Sequence, residues 1–375
     1  MSELDRLSGY FTDNLSTIID QIRQITTLES PSGDPHGINN ALSFLCSLFR
    51  SEVDVKSIPT EVGSICRAIF PGQSIQRILI LAHIDTVYPI GAWQTLWRIE
   101  GDKAMAPGIY DMKGGVIQAI WALHAFRDLQ VELPYTIELL VTPDEEVGSG
   151  VSRHIIEKAA HGAKAVLVVE PPSGDGGLKI ARKGVGDITV TIEGKAAHQG
   201  SEPEKGRNAV VSAAHFVLEL MKIQDLERGT ILGPNIISGG TATNVVADRA
   251  EVQIDLRVWS LEEADRALKD LHSIRPLPGT TYHFSGGVNR PPLEPTVESE
   301  RLFSLARDIG AKLGLVLTPA RVGGGSDGNF TGKIAPTLDG FGVMGGGAHQ
   351  RDLEYIIVSE IPKRAALLHE VIRTL

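Results

Sequence analysis

Cysteine is almost missing from this sequence: Cys46 and Cys66 are the only two in 375 residues. Two cysteines build neither a disulfide framework nor a thiolate zinc site. Neither sits in a motif that would activate a thiol, so both read as small core residues. An excess of positive charge is missing too. Lys and Arg total 36 against 46 Asp and Glu, a formal net charge of -10. That balance disfavours a nucleic-acid or anionic-membrane surface and leaves room for a local Arg or Lys pocket. No apolar run is long enough to span a bilayer, and the polar start Met1-Ser2-Glu3-Leu4-Asp5-Arg6 lacks the basic segment and apolar stretch of a signal peptide. The expectation is a soluble cytoplasmic protein without nucleic-acid or membrane partners.

What is present is a large apolar content, 42%, in a chain long enough for two domains. Ile78-Leu79-Ile80-Leu81-Ala82, Thr136 to Val141 and Ala165 to Val169 read as buried strands, with a helix over Gly115 to Leu129 between the first two. Alternating strand and helix predicts an α/β class with a mixed sheet flanked by helices. The pattern then changes. Asp187 to Glu193 and Ala250 to Val258 alternate polar and apolar residues, as half-exposed strands do, while Gly206 to Lys222 and Leu261 to Ser273 read as helices. This predicts an α+β sandwich, 181–289, inserted in a domain formed by 1–180 and 290–375, which ends in helices over Glu298 to Leu313 and Glu360 to Leu375.

Five segments carry candidate chemistry. In Leu81-Ala82-His83-Ile84-Asp85, the histidine and aspartate lie two apart at the carboxyl end of a buried strand, the edge where open α/β sheets bind ligands. A ligating imidazole uses such a carboxylate to hold its other nitrogen, although a satisfied histidine near a turn has the same sequence. In Gly108-Ile109-Tyr110-Asp111-Met112-Lys113-Gly114-Gly115, Asp111 taken alone reads more readily as a helix N-cap than as a metal bridge. Asp144-Glu145-Glu146 follows a strand, so one acid could bind metal while its neighbour handles a proton. Glu170 ends an apolar run, a costly place for an unpaired carboxylate. His349 stands on the glycine-rich loop Gly345-Gly346-Gly347-Ala348-His349. Together these supply two imidazoles and three carboxylates, a set suited to catalytic zinc. Gly323 to Gly328 matches G-x-G-x-x-G by spacing, but without the strand, helix and downstream acid of a dinucleotide site. Gly332-Lys333-Ile334 lacks the Ser or Thr of a P-loop.

In this order the motifs His-x-Asp, Gly-x-x-Asp-Met-Lys-Gly-Gly, Asp-Glu-Glu-x-Gly-Ser, Val-Glu-Pro and Gly-Ala-His resemble the M20 family of metallopeptidases, most closely its glutamate carboxypeptidase branch, from about residue 20 to 370. The resemblance implies two zinc ions per subunit. Asp111 would bridge them, with His83 and Glu170 on one ion and Glu146 and His349 on the other. Asp85 would orient His83, and Glu145 would be the general base. A cis peptide is implied after Asp111. The insert would be a lid and dimerisation domain, its His198 in Lys195-Ala196-Ala197-His198 reaching the partner's site to stabilise the oxyanion. Asn244 and Arg257 would bind the substrate's terminal carboxylate, an anion that the Arg fork can grip in bidentate fashion, with Gly325 and Ser326 as further substrate contacts.

The sequence departs from the glutamate-specific members at Leu178-Lys179-Ile180, where they carry Lys-x-Ser. Lys179 is offset by one residue, which on a strand turns it to the opposite face, and the serine is missing. In those members the Lys-x-Ser pair holds the substrate's side-chain carboxylate, and Arg290 resembles another basic position near that pocket. The substrate implied is a small peptide or N-acyl amino acid. A glutamate-type carboxypeptidase is the leading reading and an N-acyl-amino-acid amidohydrolase on the same scaffold the alternative. A non-catalytic binding protein is disfavoured, since all five ligand positions and Glu145 are filled.

Overall fold

A computed structural model describes residues 3–375; Met1 and Ser2 of the N-terminal hexapeptide lie outside the described residues. The chain divides into two units. The first comprises the chain up to Ile180 with Pro295–Val322 and Ser326–Leu375; the second is Ala181–Glu294 with Gly323–Gly325.

Apolar runs build the first unit. Ile78 to Ala82 are fully buried within the strand Ser74–His83, because a strand covered on both faces has no use for alternation. The large sheet has the order Asp54–Ile58, Ile65–Phe70, Tyr135–Thr142, Ser74–His83, Ala163–Val168, Thr337–Asp339, Leu178–Arg182, Pro319–Val322. Its central strands Tyr135–Thr142, Ser74–His83, Ala163–Val168 and Thr337–Asp339 run parallel, so their carboxyl ends share one edge. The helix Gly114–Asp128 is apolar nearly all round and accordingly buried, packed by the helices Leu15–Thr27 and Ile361–Thr374. Its start presses on the sheet. A Cβ at Gly115 would lie 2.3 Å from the carbonyl oxygen of Val169, so only glycine permits this approach. A smaller sheet, in the order Gly345–Gly346, Tyr355–Ile357, Lys103–Met105, Arg98–Glu100, holds the loop that carries His349.

The second unit is a four-stranded antiparallel sheet, in the order Ile231–Gly239, Arg249–Val258, Gly184–Glu193, Thr281–Arg290. Ile188, Val190 and Ile192 alternate inward and pack with Val252, Ile254 and Leu256 against Phe216 and Leu271 of the helices Ala209–Leu220 and Leu261–Ser273. The first helix begins at Ala209, after the glycine read from sequence as its start, because the Asn208 side chain caps the backbone N–H groups of Val210 and Val211. Among the described residues, no helix is long and apolar enough to cross a membrane.

Candidate active site

The strand Ser74–His83 delivers His83 to the carboxyl edge of the parallel strands with its side chain 1% exposed. Its Nδ1 lies 3.1 Å from the Asp85 carbonyl oxygen and 3.3 Å from Asp85 Oδ1, which leaves Nε2 for a ligand. Asp85 is itself buried. It accepts a hydrogen bond from Ser32 Oγ at 2.6 Å and from the backbone N–H groups of Glu145 and Glu146, each at 3.1 Å. One carboxylate thus sets the imidazole and anchors the acidic turn that follows the neighbouring strand.

Around that anchor the ligand positions converge. His83 Nε2 is 3.2 Å from Asp111 Oδ1 and 3.6 Å from Glu170 Oε1, while His349 Nε2 is 3.4 Å from Asp111 Oδ2 and 3.1 Å from Glu146 Oε2. His83, Asp111 and Glu170 form one group and Asp111, Glu146 and His349 another, each with its ligand atoms within 4.8 Å of one another. Asp111 belongs to both and offers a different oxygen to each. It is not an N-cap. The helix starts at Gly114, Lys113 occupies the cap position without a capping side chain, and Asp111 is extended (φ -118°, ψ 91°). The Asp111–Met112 peptide is cis. Glu170 lies beyond the strand Ala163–Val168, and His349 has a left-handed backbone (φ 61°) after Gly347.

The electrostatics favour a cation here. Burial would raise the Asp111 carboxyl, but hydrogen bonds with His349 and His83 hold it well below the usual carboxylate range. Asp111, then Glu146, push the His349 imidazole up to about 10. Burial opposes charge on His83, yet Asp111, Asp85 and Glu170 raise it well above the ordinary histidine value. Burial also raises Glu146. A field that draws protons onto two imidazoles draws divalent ions in their place, and imidazole with carboxylate oxygen is a donor set that zinc accepts.

The three consecutive acids divide their work. Asp144 turns inward to Ser152 and the Val151 N–H, and Glu146 joins the second ligand group. Glu145 stays half-exposed beside it on the turn Glu145–Val147. Beneath them, Asp327 accepts hydrogen bonds from Thr142 and Ser149, tying strand end to turn.

One residue of this edge was not singled out from the sequence. Glu354, fully buried, accepts the backbone N–H groups of Tyr110 at 2.8 Å, Asp111 at 3.0 Å and Gly108 at 3.3 Å, and the Tyr88 hydroxyl at 2.7 Å. An acid directly before the apolar run Tyr355-Ile356-Ile357 was the available signal, by the same reasoning that marked Glu170.

Other expected contacts fall differently. Ser326 is fully buried, donates to Asp339 at 2.7 Å and caps the Gly328 N–H, so its side chain serves the fold instead of facing a substrate. Lys179 is buried within the large sheet. In the second unit, Arg257 and Arg290 both pair with Val185 across the sheet. A Cβ at Gly325 would lie 2.9 Å from Val185 Cγ2 and 3.0 Å from Arg290 Cδ, so Gly325 joins this cluster. Asp255 already grips Arg257 through two bonds of 2.8 Å.

His198 and Asn244 sit together at the other end of that sheet, joined by a Gln199 N–H bond to the Asn244 carbonyl at 2.9 Å and a bridge between His198 and Val245. The strand from Val185 to Glu193 separates them from Arg257, about 26 Å at the usual rise per residue. Asn244 and Arg257 therefore cannot grip one carboxylate within a single chain. His198 Nδ1 accepts the backbone N–H groups of Gly200 at 3.1 Å and Ser201 at 3.2 Å, which puts the ring proton on the outward Nε2.

Comparison with known proteins bears on this constellation. Carboxypeptidase G2 of Pseudomonas sp. (strain RS-16) is 31% identical over 380 residues, 97% of this chain and 90% of that protein. The aminopeptidase PepT structure from Bacillus cereus ATCC 10987 superposes with a TM-score of 0.79 at 20% identity, covering 96% of this chain and 98% of the other. The Bacillus subtilis YXEP protein, described as a dinuclear metal binding peptidase from the M20 family, gives 0.71 at 16% identity over 97% and 99%. At those identities the two structures carry the fold alone. The family model described as Peptidase family M20/M25/M40 matches residues 79–374. Together with the near-complete match at 31% identity, this places the chain in peptidase family M20/M25/M40, among the metallopeptidases.

Proposed function

We propose that this chain is a two-zinc hydrolase that cleaves the amide bond next to a free C-terminal carboxylate. The observation that carries the reading is Asp111, whose two oxygens face His83 on one side and His349 on the other. His83, Asp111 and Glu170 would hold one ion and Asp111, Glu146 and His349 the second. When bound, the pair supplies Lewis-acid polarisation of the scissile carbonyl and of the attacking water.

The chain's own groups do the rest. Glu145, next to a ligand yet half-exposed, takes the proton from the water and passes it to the leaving amine nitrogen. Attack leaves a tetrahedral oxyanion, to which the Nε2–H of His198 donates. Arg257 holds the substrate's carboxylate, sharing its fork with Asp255.

Because His198 with Asn244 and Arg257 with Arg290 occupy opposite ends of one sheet, each pair serves a different site, and a homodimer gives every site one pair of each kind. Exposed Ile236 and Ile237 on the edge strand Ile231–Gly239, with exposed Val211 and Leu218 on the adjoining helix, support the inserted unit as the dimer surface.

The likeness to Carboxypeptidase G2 supports a glutamate-type carboxypeptidase. The missing Lys-x-Ser pair and the burial of Lys179 favour the alternative, an N-acyl-amino-acid amidohydrolase. A panel of N-acyl and N-peptidyl amino acids, assayed with metal content measured before and after chelation, tests both. Hydrolysis that survives complete metal removal, or none on any substrate by the metal-loaded protein, would defeat the proposal.

A further inference from the structure

The residues that follow the ligands in sequence build a second feature. After Asp85 the chain pairs with Pro31 at Thr86, the N–H of Ser32 donating to the Thr86 carbonyl at 3.1 Å and that of Thr86 to the Ser30 carbonyl at 3.0 Å. Side chains then alternate: Tyr88 turns inward to Glu354, and its neighbours Val87 and Pro89 turn out. Across from them, Val147 projects from the turn that carries Glu145 and Glu146. The result is a groove of about 590 Å³ lined mainly by Pro31, Val87, Pro89, Ile90 and Val147, with Glu146 also in its wall. Ile90 and Val147 are 65% and 66% exposed, so the groove presents apolar surface that a ligand could cover. None of the described residues lining the groove is a lysine or arginine.

Resting on the amidohydrolase reading above, we infer that this groove receives the acyl side of the substrate and selects an uncharged, apolar acyl group over an anionic one. Its continuity with Glu146 puts it beside the scissile bond. Apart from Thr86, which is buried, and Ser32, whose hydroxyl is bonded to Asp85, its lining offers methyl and methylene surface and no cationic partner. An acyl group ending in a carboxylate would find no lysine or arginine along this lining and would lose hydration against apolar side chains without compensation. Each methylene seated against the lining should raise kcat/KM about fourfold, the usual worth of a buried CH₂.

The test is a matched acyl series on L-glutamate and on L-alanine, assayed with the zinc-loaded full chain: N-acetyl, N-butanoyl, N-hexanoyl, N-(4-methylpentanoyl) and N-succinyl. The last two have nearly the same shape and differ in charge. The expected result is a rise in kcat/KM from acetyl to hexanoyl, with succinyl at least about tenfold below 4-methylpentanoyl, as a groove of this chemistry requires. Ile90→Asp, at a position exposed enough to tolerate it, should collapse the hexanoyl-to-acetyl ratio while the bound metal is unchanged. A flat or inverted series, or succinyl equal to its neutral isostere, overturns the inference and leaves the amidohydrolase reading standing. Failure to hydrolyse any member of the acyl series overturns that reading and the inference with it.

Discussion

The carboxylate of Glu354 accepts the backbone N–H of Asp111 at 3.0 Å, so the residue shared by both ligand groups is set in place by an acid that belongs to neither. Three further donors, from Tyr110, Gly108 and Tyr88, converge on the same buried group. Glu354→Gln puts an amide where at least one donor pointed and leaves that donor unsatisfied, at a cost of about 1–3 kcal/mol. Supporting contacts of this kind are worth about ten- to a hundredfold in metal affinity. The expected outcome is weaker zinc binding by competition with a chelator, with activity partly restored at saturating zinc. Wild-type zinc affinity in the variant would show that Glu354 does not position Asp111.

Glu145 and Glu146 are adjacent, and only Glu146 enters a ligand group. Glu145→Gln keeps the size of the side chain and removes its basicity. We expect two zinc ions still bound and kcat reduced by about 10²–10⁴, the usual contribution of a positioned general base. Retention of near wild-type turnover with both ions present would assign the proton transfer to another group.

Stability should depend on pH through His124, far from this chemistry. Its ring is held largely out of water on the helix Gly114–Asp128 and its Nε2 has no hydrogen-bond partner, so burial lowers its pKa to about 4 from an ordinary 6.5. Between those values the unfolded chain binds a proton that the folded one does not. Its contribution to stability is therefore complete above about pH 6.5 and lost progressively as pH falls to about 4, a matter of a few kcal/mol. Denaturant unfolding of His124→Phe and wild type at pH 7 and pH 5 should show a smaller acid-side loss for the variant. Equal losses would remove His124 as the cause.

How far the sequence could be read follows from where information is local. Ile78 to Ala82 and Leu261 to Ser273 announced themselves because burial on both faces and a capped amphipathic repeat are written into consecutive residues. The helices Leu15–Thr27 and Pro35–Ser47 carry an amphipathic repeat as well, only the second with a capping side chain, Asp34. The edge strand Ile231–Gly239 was hidden by Pro234, two glycines and mostly exposed side chains. At the site, the five ligand positions could be recognised by their order along the chain. The direction of the Ser326 hydroxyl could not, since its partner Asp339 is thirteen residues away and reaches it only through the fold. The separation of Asn244 from Arg257 was within reach, because the strand Arg249–Val258 runs between them.

That separation yields the sharpest test of the assembly. If His198 acts across a dimer, a His198→Ala chain lacks the oxyanion donor for its partner's site and keeps an intact Glu145, while a Glu145→Gln chain is the reverse. Each variant alone should lose turnover by about 10²–10³ or more. Mixed and allowed to exchange subunits, half the dimers pair one chain of each kind, and one of their two sites then combines a wild-type Glu145 with a wild-type His198. Activity should return to about a quarter of the wild-type level, following the symmetry of a closed dimer. A mixture no more active than its parts, with subunit exchange verified by differently tagged chains, would place His198 in its own chain's site. Its outward Nε2–H, 26 Å or so from Arg257 along the sheet, would then have to reach a substrate that Arg257 does not hold.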